Sequence, residues 1–338
     1  MGIKKINDII KNNAPKALGE TPLTNFKRIA IDGTNWIHKT WAIAWKGTVN
    51  KTNIGNEEPD REEARKIWIR NSQRFINKLL ASGVTPIFVV DGRHPEEKAE
   101  TKEKRNTVRE KSKERLEAMK ERLGKEEVDI DDVRKSYANN MNLTYDETEL
   151  LIVMLKAVGI PILQAKGEAE QLCSMMCKEG LVEGVYSTDT DTLAYGCPLL
   201  LTGMNKRGDG FTSVDLNVIL SSLQISFETF VDLCIMCGCD YNKNIPKIGP
   251  VRVLELIKQY GQIEKLPKTY RNIPLDLTVL KYETCRELFG SQLSVEICED
   301  ELQIDIKKEN LLTARDILET MGAELWIEEL NRYYKNFA

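Results

Sequence analysis

Short apolar runs alternate along the chain with longer stretches of helical period. Arg28-Ile29-Ala30-Ile31 and Pro86-Ile87-Phe88-Val89-Val90 are bounded by polar or turn-forming residues, so strands are predicted over 27–31 and 85–90. Gly33-Thr34-Asn35 opens a helix after the first strand. Ile67, Phe75, Ile76, Leu79 and Leu80 share one face of a helix over 62–81, which Gly83 stops. Residues 1–20 read as a short helix followed by a turn at 12–15. The stretch 46–60, rich in Gly, Asn, Thr and Pro, reads as a loop. The run 96–125 is dense in Glu, Lys and Arg, the pattern of a solvated helix supported by i,i+4 ion pairs. A helix over 129–158 carries an apolar face through Leu150, Val153, Met154 and Ala157. Beyond it come a short strand in Gly159-Ile160-Pro161-Ile162-Leu163, a helix over 168–179 and a strand over 183–187. A hairpin joins 198–203 to 210–214, and 226–300 is mostly helical. The strand–helix–strand rhythm predicts an α/β fold with a parallel sheet covered by helices.

Carboxylates stand where these strands end. Asp32 follows the first run and Asp91 the second. Asp189 and Asp191 close Tyr186-Ser187-Thr188-Asp189-Thr190-Asp191. Glu168 and Glu170 lie in Lys-Gly-Glu-Ala-Glu, and Asp240 in Cys-Gly-Cys-Asp-Tyr. In an open α/β sheet that edge is where ligands bind. Acids gathered there repel one another unless cations share the space, and hard oxygen ligands suit Mg²⁺ or Mn²⁺. The pattern points to a two-metal hydrolase of phosphate esters. Taken singly, each acid has a plainer reading. A strand-end Asp caps the next helix as readily as it binds an ion, and acids in a first turn complement the helix dipole. Inside a helix, Glu168 and Glu170 would point about 200° apart. They converge only at a helix start, which Gly167 permits. Asp189 and Asp191 share a face if their segment is extended. An EF-hand is excluded, because Leu193 and Leu200 fall at loop positions where Ca²⁺ needs oxygen.

Composition narrows the chemistry further. The chain has 338 residues, 41% hydrophobic and 30% charged, a globular balance sufficient for a large core and one or two domains. Its longest apolar run, Leu150 to Leu155, is far shorter than the ~20 residues of a membrane helix. The start, Met-Gly-Ile-Lys-Lys-Ile, carries neither a signal-peptide core nor a myristoylation pattern. An intracellular protein, not a secreted one, is expected. The 8 cysteines read as reduced core thiols. Cys234, Cys237 and Cys239 are closely spaced, but a structural zinc site takes four ligands. The 2 histidines, His38 and His94, exclude His-rich metal fingers, a paired-histidine ribonuclease and a His-Glu-x-x-His protease. No Gly-x-Ser-x-Gly elbow occurs. Net charge is −4, yet basic residues concentrate at 98–125, at 243–258 and at Lys206-Arg207, so the charge is regional.

The stretch 243–258 carries a separate signal. Gly249 supplies a tight turn, Pro250 suits a first helical position, and Arg252 lies nearby. The free N–H groups of such a helix start make a phosphate seat. Any capped helix shows the same local pattern; this one follows Asp240 directly.

Together these blocks resemble the flap endonuclease family of structure-specific 5′ nucleases, in the xeroderma pigmentosum group G-like superfamily. Met-Gly-Ile, Ala30-Ile31-Asp32-Gly33, Val90-Asp91-Gly92 with Pro95, Lys98 and Arg105, Gly159-Ile160-Pro161 through Glu168-Ala169-Glu170, Thr188 through Leu193, and Gly238-Cys239-Asp240-Tyr241 with Ile248-Gly249-Pro250 occur in family order up to about residue 260. The resemblance implies a PIN-like, Rossmann-like α/β fold with a mostly parallel central sheet flanked by helices, a helical gateway and cap, and a helix–two-turn–helix DNA-binding region. It implies nuclease regions over 1–95 and 146–240, the gateway over 96–145, the DNA-binding region over 241–300 and a helical tail over 301–338.

The implied roles follow position by position. Asp32, Asp91 and Glu170, with Glu168 close by, hold one Mg²⁺. Asp189 and Asp191, sharing Glu170 and with Asp240 near, hold a second; Mn²⁺ can substitute. Lys98 and Arg105 are the catalytic cations. Gly2, His38, Tyr241, Lys247, Gly249 and Arg252 contact DNA, with K⁺ at the helix–two-turn–helix. His38 stands where eukaryotic flap enzymes have a stacking Tyr, and Lys247 where a Gly is usual. The implied activity is 5′ flap endonuclease with 5′–3′ exonuclease, acting in replication, repair or recombination on double-stranded DNA with 5′ flaps, nicks or branches. A monomer is expected, away from membranes, in the nucleus or at a viral replication site. The end, Tyr333 to Ala338, lacks a sliding-clamp sequence. Two alternatives share the fold: a 5′ exonuclease or junction resolvase, and an inactive nucleic-acid-binding relative. The intact acids, Lys98 and Arg105 argue against the last.

Overall fold

Two runs of buried residues build the centre of the sheet. In the computed structural model, Arg28–Asp32 and Thr85–Val90 are strands whose interior side chains are buried on both faces, as a covered parallel sheet requires. Along the chain come α1 (Ile6–Asn13), β1 (Leu18–Pro22), β2 (Arg28–Asp32), α2 (Gly33–Lys51), α3 (Arg61–Ala81), β3 (Thr85–Val90), α4 (Ala99–Arg122), α5 (Ile130–Asn139), α6 (Tyr145–Ala157), β4 (Ile162–Gln164), α7 (Ala169–Lys178), β5 (Val185–Tyr186), α8 (Asp191–Ala194), β6 (Leu199–Met204), β7 (Gly210–Asp215), α9 (Leu216–Leu223), α10 (Phe227–Cys237), α11 (Pro250–Tyr260) and α12 (Tyr282–Gly290). The structure describes residues 2–93, 95–123, 128–290 and 297–305. His94 and the expected tail from 306 onward lie outside them.

The sheet has seven strands in the order β1-β7-β6-β5-β2-β3-β4. β2 pairs in parallel with β3 and β5, and β5 with β6; β7 is antiparallel to both β6 and β1. The expected parallel sheet is therefore its centre, with an antiparallel flank. From β2 the chain builds outward through β3 and β4 on one side and through β5 and β6 on the other. A crevice opens beyond the strand ends at such a switch point.

The described residues fall into two compact units. One comprises those up to Asn35 with Ser82–Thr101 and Leu163–Ile297, and holds the sheet. Its core includes Ile6, Ile10, Leu193, Phe230, Leu233 and Ile257, drawn from helices α1, α8, α10 and α11. The other comprises Trp36–Ala81, Lys102–Ile162 and the stretch from Cys298. It is built around tryptophans: Trp41 meets Trp68 edge-on at 5.3 Å, and the Trp45 indole N–H donates to the Tyr137 carbonyl at 2.8 Å. Among the described residues no single helix is long and apolar enough to cross a membrane.

Four elements depart from the sequence pattern. β1 carries Gly19 and Pro22 and lacks apolar alternation; it is a strand because β7 pairs with it from Leu18 to Pro22. α2 continues past Gly47 to Lys51, where a loop is predicted, since Ala44, Trp45 and Val49 keep an inner face. The single helix predicted over 129–158 breaks into α5 and α6, the latter opened by a capping box between Thr144 and Glu147. α9, opened by the Asp215 side chain on the Val218 N–H, occupies a stretch the pattern leaves unassigned.

Candidate active site

Asp32 is the last residue of β2, and its carboxylate does two structural tasks. One oxygen accepts the Asn35 N–H at 3.1 Å, capping α2; the other accepts the Ser187 hydroxyl at 2.8 Å. Asp91 stands one residue past β3. Its N–H donates to the Thr34 hydroxyl at 3.1 Å, and its carboxylate accepts the Ala169 N–H at 2.8 Å, at the start of α7. Gly92 makes that reach possible. Its N–H donates to the Gly167 carbonyl at 2.8 Å, and a Cβ there would lie 2.0 Å from the Ala165 carbonyl oxygen.

Glu168 and Glu170 meet because only one of them is inside the helix. Glu168 is the residue before α7, with φ −78° and ψ 139°, and Glu170 lies in the first turn. One oxygen from each of Asp91, Glu168 and Glu170 lies within 4.8 Å of the others. The Glu168 side chain does not cap its own helix. It pairs with the Lys98 ammonium, which also stands 3.7 Å from an Asp240 carboxylate oxygen.

Asp189 and Asp191 are brought together by a turn and not by the extended segment expected. β5 ends at Tyr186; the Asp189 N–H donates to the Ser187 hydroxyl and the Asp191 N–H to the Asp189 carboxylate, each at 3.0 Å. Gly2, at φ 86°, lies against this turn, where a Cβ would fall 2.1 Å from an Asp189 carboxylate oxygen. Asp240 follows α10, and its carbonyl accepts the Thr101 hydroxyl at 2.7 Å.

Six of the seven acids are between 1% and 8% exposed; Asp91 is half-buried. Burial pushes Asp32 up to about 7, with Asp91 and Asp189 adding repulsion against the hydrogen bonds of Asn35 and Ser187. Burial, then the Asp32 charge, raises Glu170 well above the usual carboxylate range. Burial, then Asp189, does the same to Asp191, and Asp189 is raised mainly by burial. Burial alone would lower Lys98, but Glu170 and Glu168 outweigh it and hold the ammonium charged. One Asp191 carboxylate oxygen is buried without a hydrogen-bond partner. A hard divalent cation answers both facts: it offsets the charge of acids that burial and mutual repulsion disfavour, and it gives the orphaned oxygen a partner. The donor set, all carboxylate oxygen, fits Mg²⁺ or Mn²⁺.

The remaining expected residues fare differently. Tyr241, expected on DNA, is 3% exposed; its hydroxyl meets that of Tyr195 at 2.7 Å and its ring meets Phe289 edge-on, so it belongs to the core. Gly249, expected to supply a tight turn, has φ −94° before Pro250, and the left-handed position is Lys247 at φ 64°. A Cβ on Gly249 would meet nothing within 4 Å. The Arg252 guanidinium donates to the Lys247 carbonyl at 2.7 Å. His38 is exposed on α2 and Arg105 half-buried on α4, both in the second unit. Cys234, Cys237 and Cys239 are buried thiols. The roles of Thr34, Thr101 and Ser187, and the close approach that needs Gly92, are not marked by the sequence pattern. Thr34, Gly92 and Ser187 adjoin or nearly adjoin an acid, which is a usable signal; Thr101 has none.

The profile of the XPG N-terminal domain matches residues 1–112, and that of the XPG I-region matches 159–240. Flap endonuclease 1 of Cryptosporidium muris is 34% identical over 308 residues, which span 86% of this chain and 62% of that protein. Flap endonuclease 1 of Glycine max is 31% identical over 314 residues, spanning 91% and 78%. The chain thus spans about three fifths of the Cryptosporidium relatives, 62% and 61%. In fold, the chain is similar to the catalytic core of Rad2 in complex with DNA substrate, with TM-score 0.63 and 20% identity over 97% of this chain and 100% of that one. It is likewise similar to flap endonuclease-1 from Methanococcus jannaschii, with TM-score 0.62 and 22% identity over 95% and 97%.

Proposed function

The chain belongs to the XPG nuclease family alongside the flap endonucleases, and from that premise we propose that it is a metal-dependent, structure-specific 5′ flap endonuclease with accompanying 5′–3′ exonuclease activity. The observation that carries this reading is the cluster of Asp91, Glu168 and Glu170, whose oxygens lie within 4.8 Å of one another, with Asp32, Asp189, Asp191 and Asp240 near enough to act electrostatically on this group or on each other, six of the seven buried and one with an orphaned oxygen. Asp32, Asp91 and Glu170, with Glu168, would hold one Mg²⁺; Asp189 and Asp191, with Glu170 and Asp240, a second. Bound there, Mg²⁺ supplies the positive charge that a phosphodiester needs as negative charge builds on it during hydrolysis.

The chain's own residues do the rest. Lys98, kept charged by Glu170 and Glu168, offers a cation at the same edge. Arg105, half-buried on α4 in the second unit, is the further cation that the family likeness implies. Ser187, Asn35 and Ala169 fix the orientation of Asp32 and Asp91 before any ligand arrives. The start of α11 presents backbone N–H groups beside the unobstructed Gly249, and this seats a duplex phosphate. K⁺ suits this turn less well. The Lys247 carbonyl already accepts from Arg252, whose guanidinium puts the chain's own cation there. The substrate is double-stranded DNA carrying a 5′ flap, nick or branch, a class in keeping with the DNA-bound Rad2 core of like fold.

The deciding experiment is cleavage of end-labelled flaps, nicks, gaps and four-way junctions with Mg²⁺ or EDTA. Flap incision with Mg²⁺ and none with EDTA is expected. Preference for four-way junctions would favour the resolvase alternative, and binding without cleavage of any substrate would leave an inactive relative.

A further inference from the structure

Asp32, Asp91 and Asp189 each accept a backbone N–H from the helix or turn that follows or faces them. The main chain of Asp240 is gripped differently, by the first turn of α4. Thr101 donates its hydroxyl to the Asp240 carbonyl at 2.7 Å, although 139 residues separate the two. Beside it, Glu100 pairs with Lys243 at 2.8 Å. From the inner side, Asn242 accepts the Cys239 N–H at 2.9 Å and donates to the Ile235 and Leu280 carbonyls. The Asp240 turn is therefore clamped between Asn242 and Thr101. Leu116 is the only buried residue of α4 among those described, so polar contacts, not apolar burial, seat its first turn.

We propose that Thr101 is a positioning residue for divalent-ion binding: its hydroxyl, helped by the Glu100–Lys243 pair, fixes the Asp240 main chain so that the carboxylate stands at the ion site. The proposal rests on the metal reading above and adds to it that ion affinity depends on how α4 begins. Removing the hydroxyl frees the Asp240 carbonyl on one side of its clamp. The peptide then turns more freely, and the carboxylate must be ordered when the ion binds. Residues that orient metal ligands in this way typically account for about 10- to 100-fold in metal affinity.

The test uses Thr101→Val, which keeps the side-chain shape and removes the donor, and Thr101→Ser, which restores it. Mn²⁺ and Mg²⁺ affinities are measured on the full chain without DNA, by titration calorimetry and by the ion-induced rise in Tm. Half-saturation should move up about 10-fold in Thr101→Val and stay near wild type in Thr101→Ser. Ion-free Tm should fall only as far as the loss of one hydrogen bond allows and by the same amount in the Asp240→Ala background, while flap affinity in EDTA stays unchanged; a purely structural role would lower stability without moving ion affinity. In an Asp240→Ala background, Thr101→Val should have no further effect, because the group it positions is gone. Wild-type ion affinity in Thr101→Val would overturn the proposal, as would a loss that persists undiminished without Asp240. A wild-type chain that binds ions yet cleaves no DNA would defeat the nuclease reading alone, and the ion affinities would still decide the role of Thr101.

Discussion

The acidic sheet edge and the proposed phosphate seat at the start of α11 are built in opposite ways. At the sheet edge the acids are mostly buried, and backbone closes tightly around them. Gly2 and Gly92 have no room for a Cβ, and Asp32, Asp91 and Asp189 each accept main-chain or hydroxyl hydrogens. At α11 the donors are backbone N–H groups at the surface. Gly249 has open space around it, and the next residue but one, Val251, is 69% exposed. Charge that must be concentrated has to be built into the fold, whereas N–H groups that would only receive a phosphate can stand open. Substitutions at the first place therefore test fold and chemistry together, and substitutions at the second test binding alone.

The strongest break in this contrast is Asp189→Ala. It should abolish flap cleavage while the ion-free protein keeps or raises its Tm, because one of several mutually repelling buried acids is gone. Full activity of this variant at ordinary Mg²⁺ would sink the two-metal reading. Lys98→Ala and Arg105→Ala come next. Each should lower the single-turnover rate by about 10²- to 10³-fold with duplex affinity nearly unchanged. A change confined to Kd would reassign them to electrostatic binding.

The two glycines sharpen the contrast directly. Gly92→Ala forces a methyl against the Ala165 carbonyl and should cost about 1–3 kcal/mol of stability, along with cleavage. Gly249→Val should leave the melting curve unchanged and weaken flap binding, with cleavage of short single strands reduced less. Arg252→Ala should do less still, lowering the salt slope of binding by about 1. Equal losses on flap and single-stranded substrates would show that the turn serves the fold.

The smallest effect is a pH dependence. Asp32 is raised from the ordinary carboxylate range to about 7, so the folded state binds its proton more tightly than the unfolded chain does. The stability this contributes is present below the unfolded pKa and is lost as pH rises toward 7. In EDTA, wild-type Tm should fall across that window more steeply than that of Asp32→Asn, and added Mg²⁺ should flatten the slope. Identical profiles for the two proteins would remove Asp32 from the account.

Local order in the chain determined much of this molecule. An apolar run followed by an acid and a helix start marks β2 with Asp32 and β3 with Asp91, because strand, cap and ligand are neighbours and their signals overlap. The same overlap leaves each acid ambiguous when read singly, since Asp32 caps α2 and also stands among the clustered acids. Which side chains meet was decided by tertiary structure. Ser187 reaches Asp32 across 155 positions and Thr101 reaches Asp240 across 139, distances at which no sequence period carries information. β1 is a strand only because β7 offers it a ladder. Tyr241 sits beside an acid in a loop that looks exposed, yet Tyr195 and Phe289 enclose it. Glu168 and Glu170 converge because the backbone turns into a helix between them, a matter of one residue's φ and ψ. Periodicity reports the face a residue presents to its own element; the partner on that face is chosen when distant segments fold together and bury it.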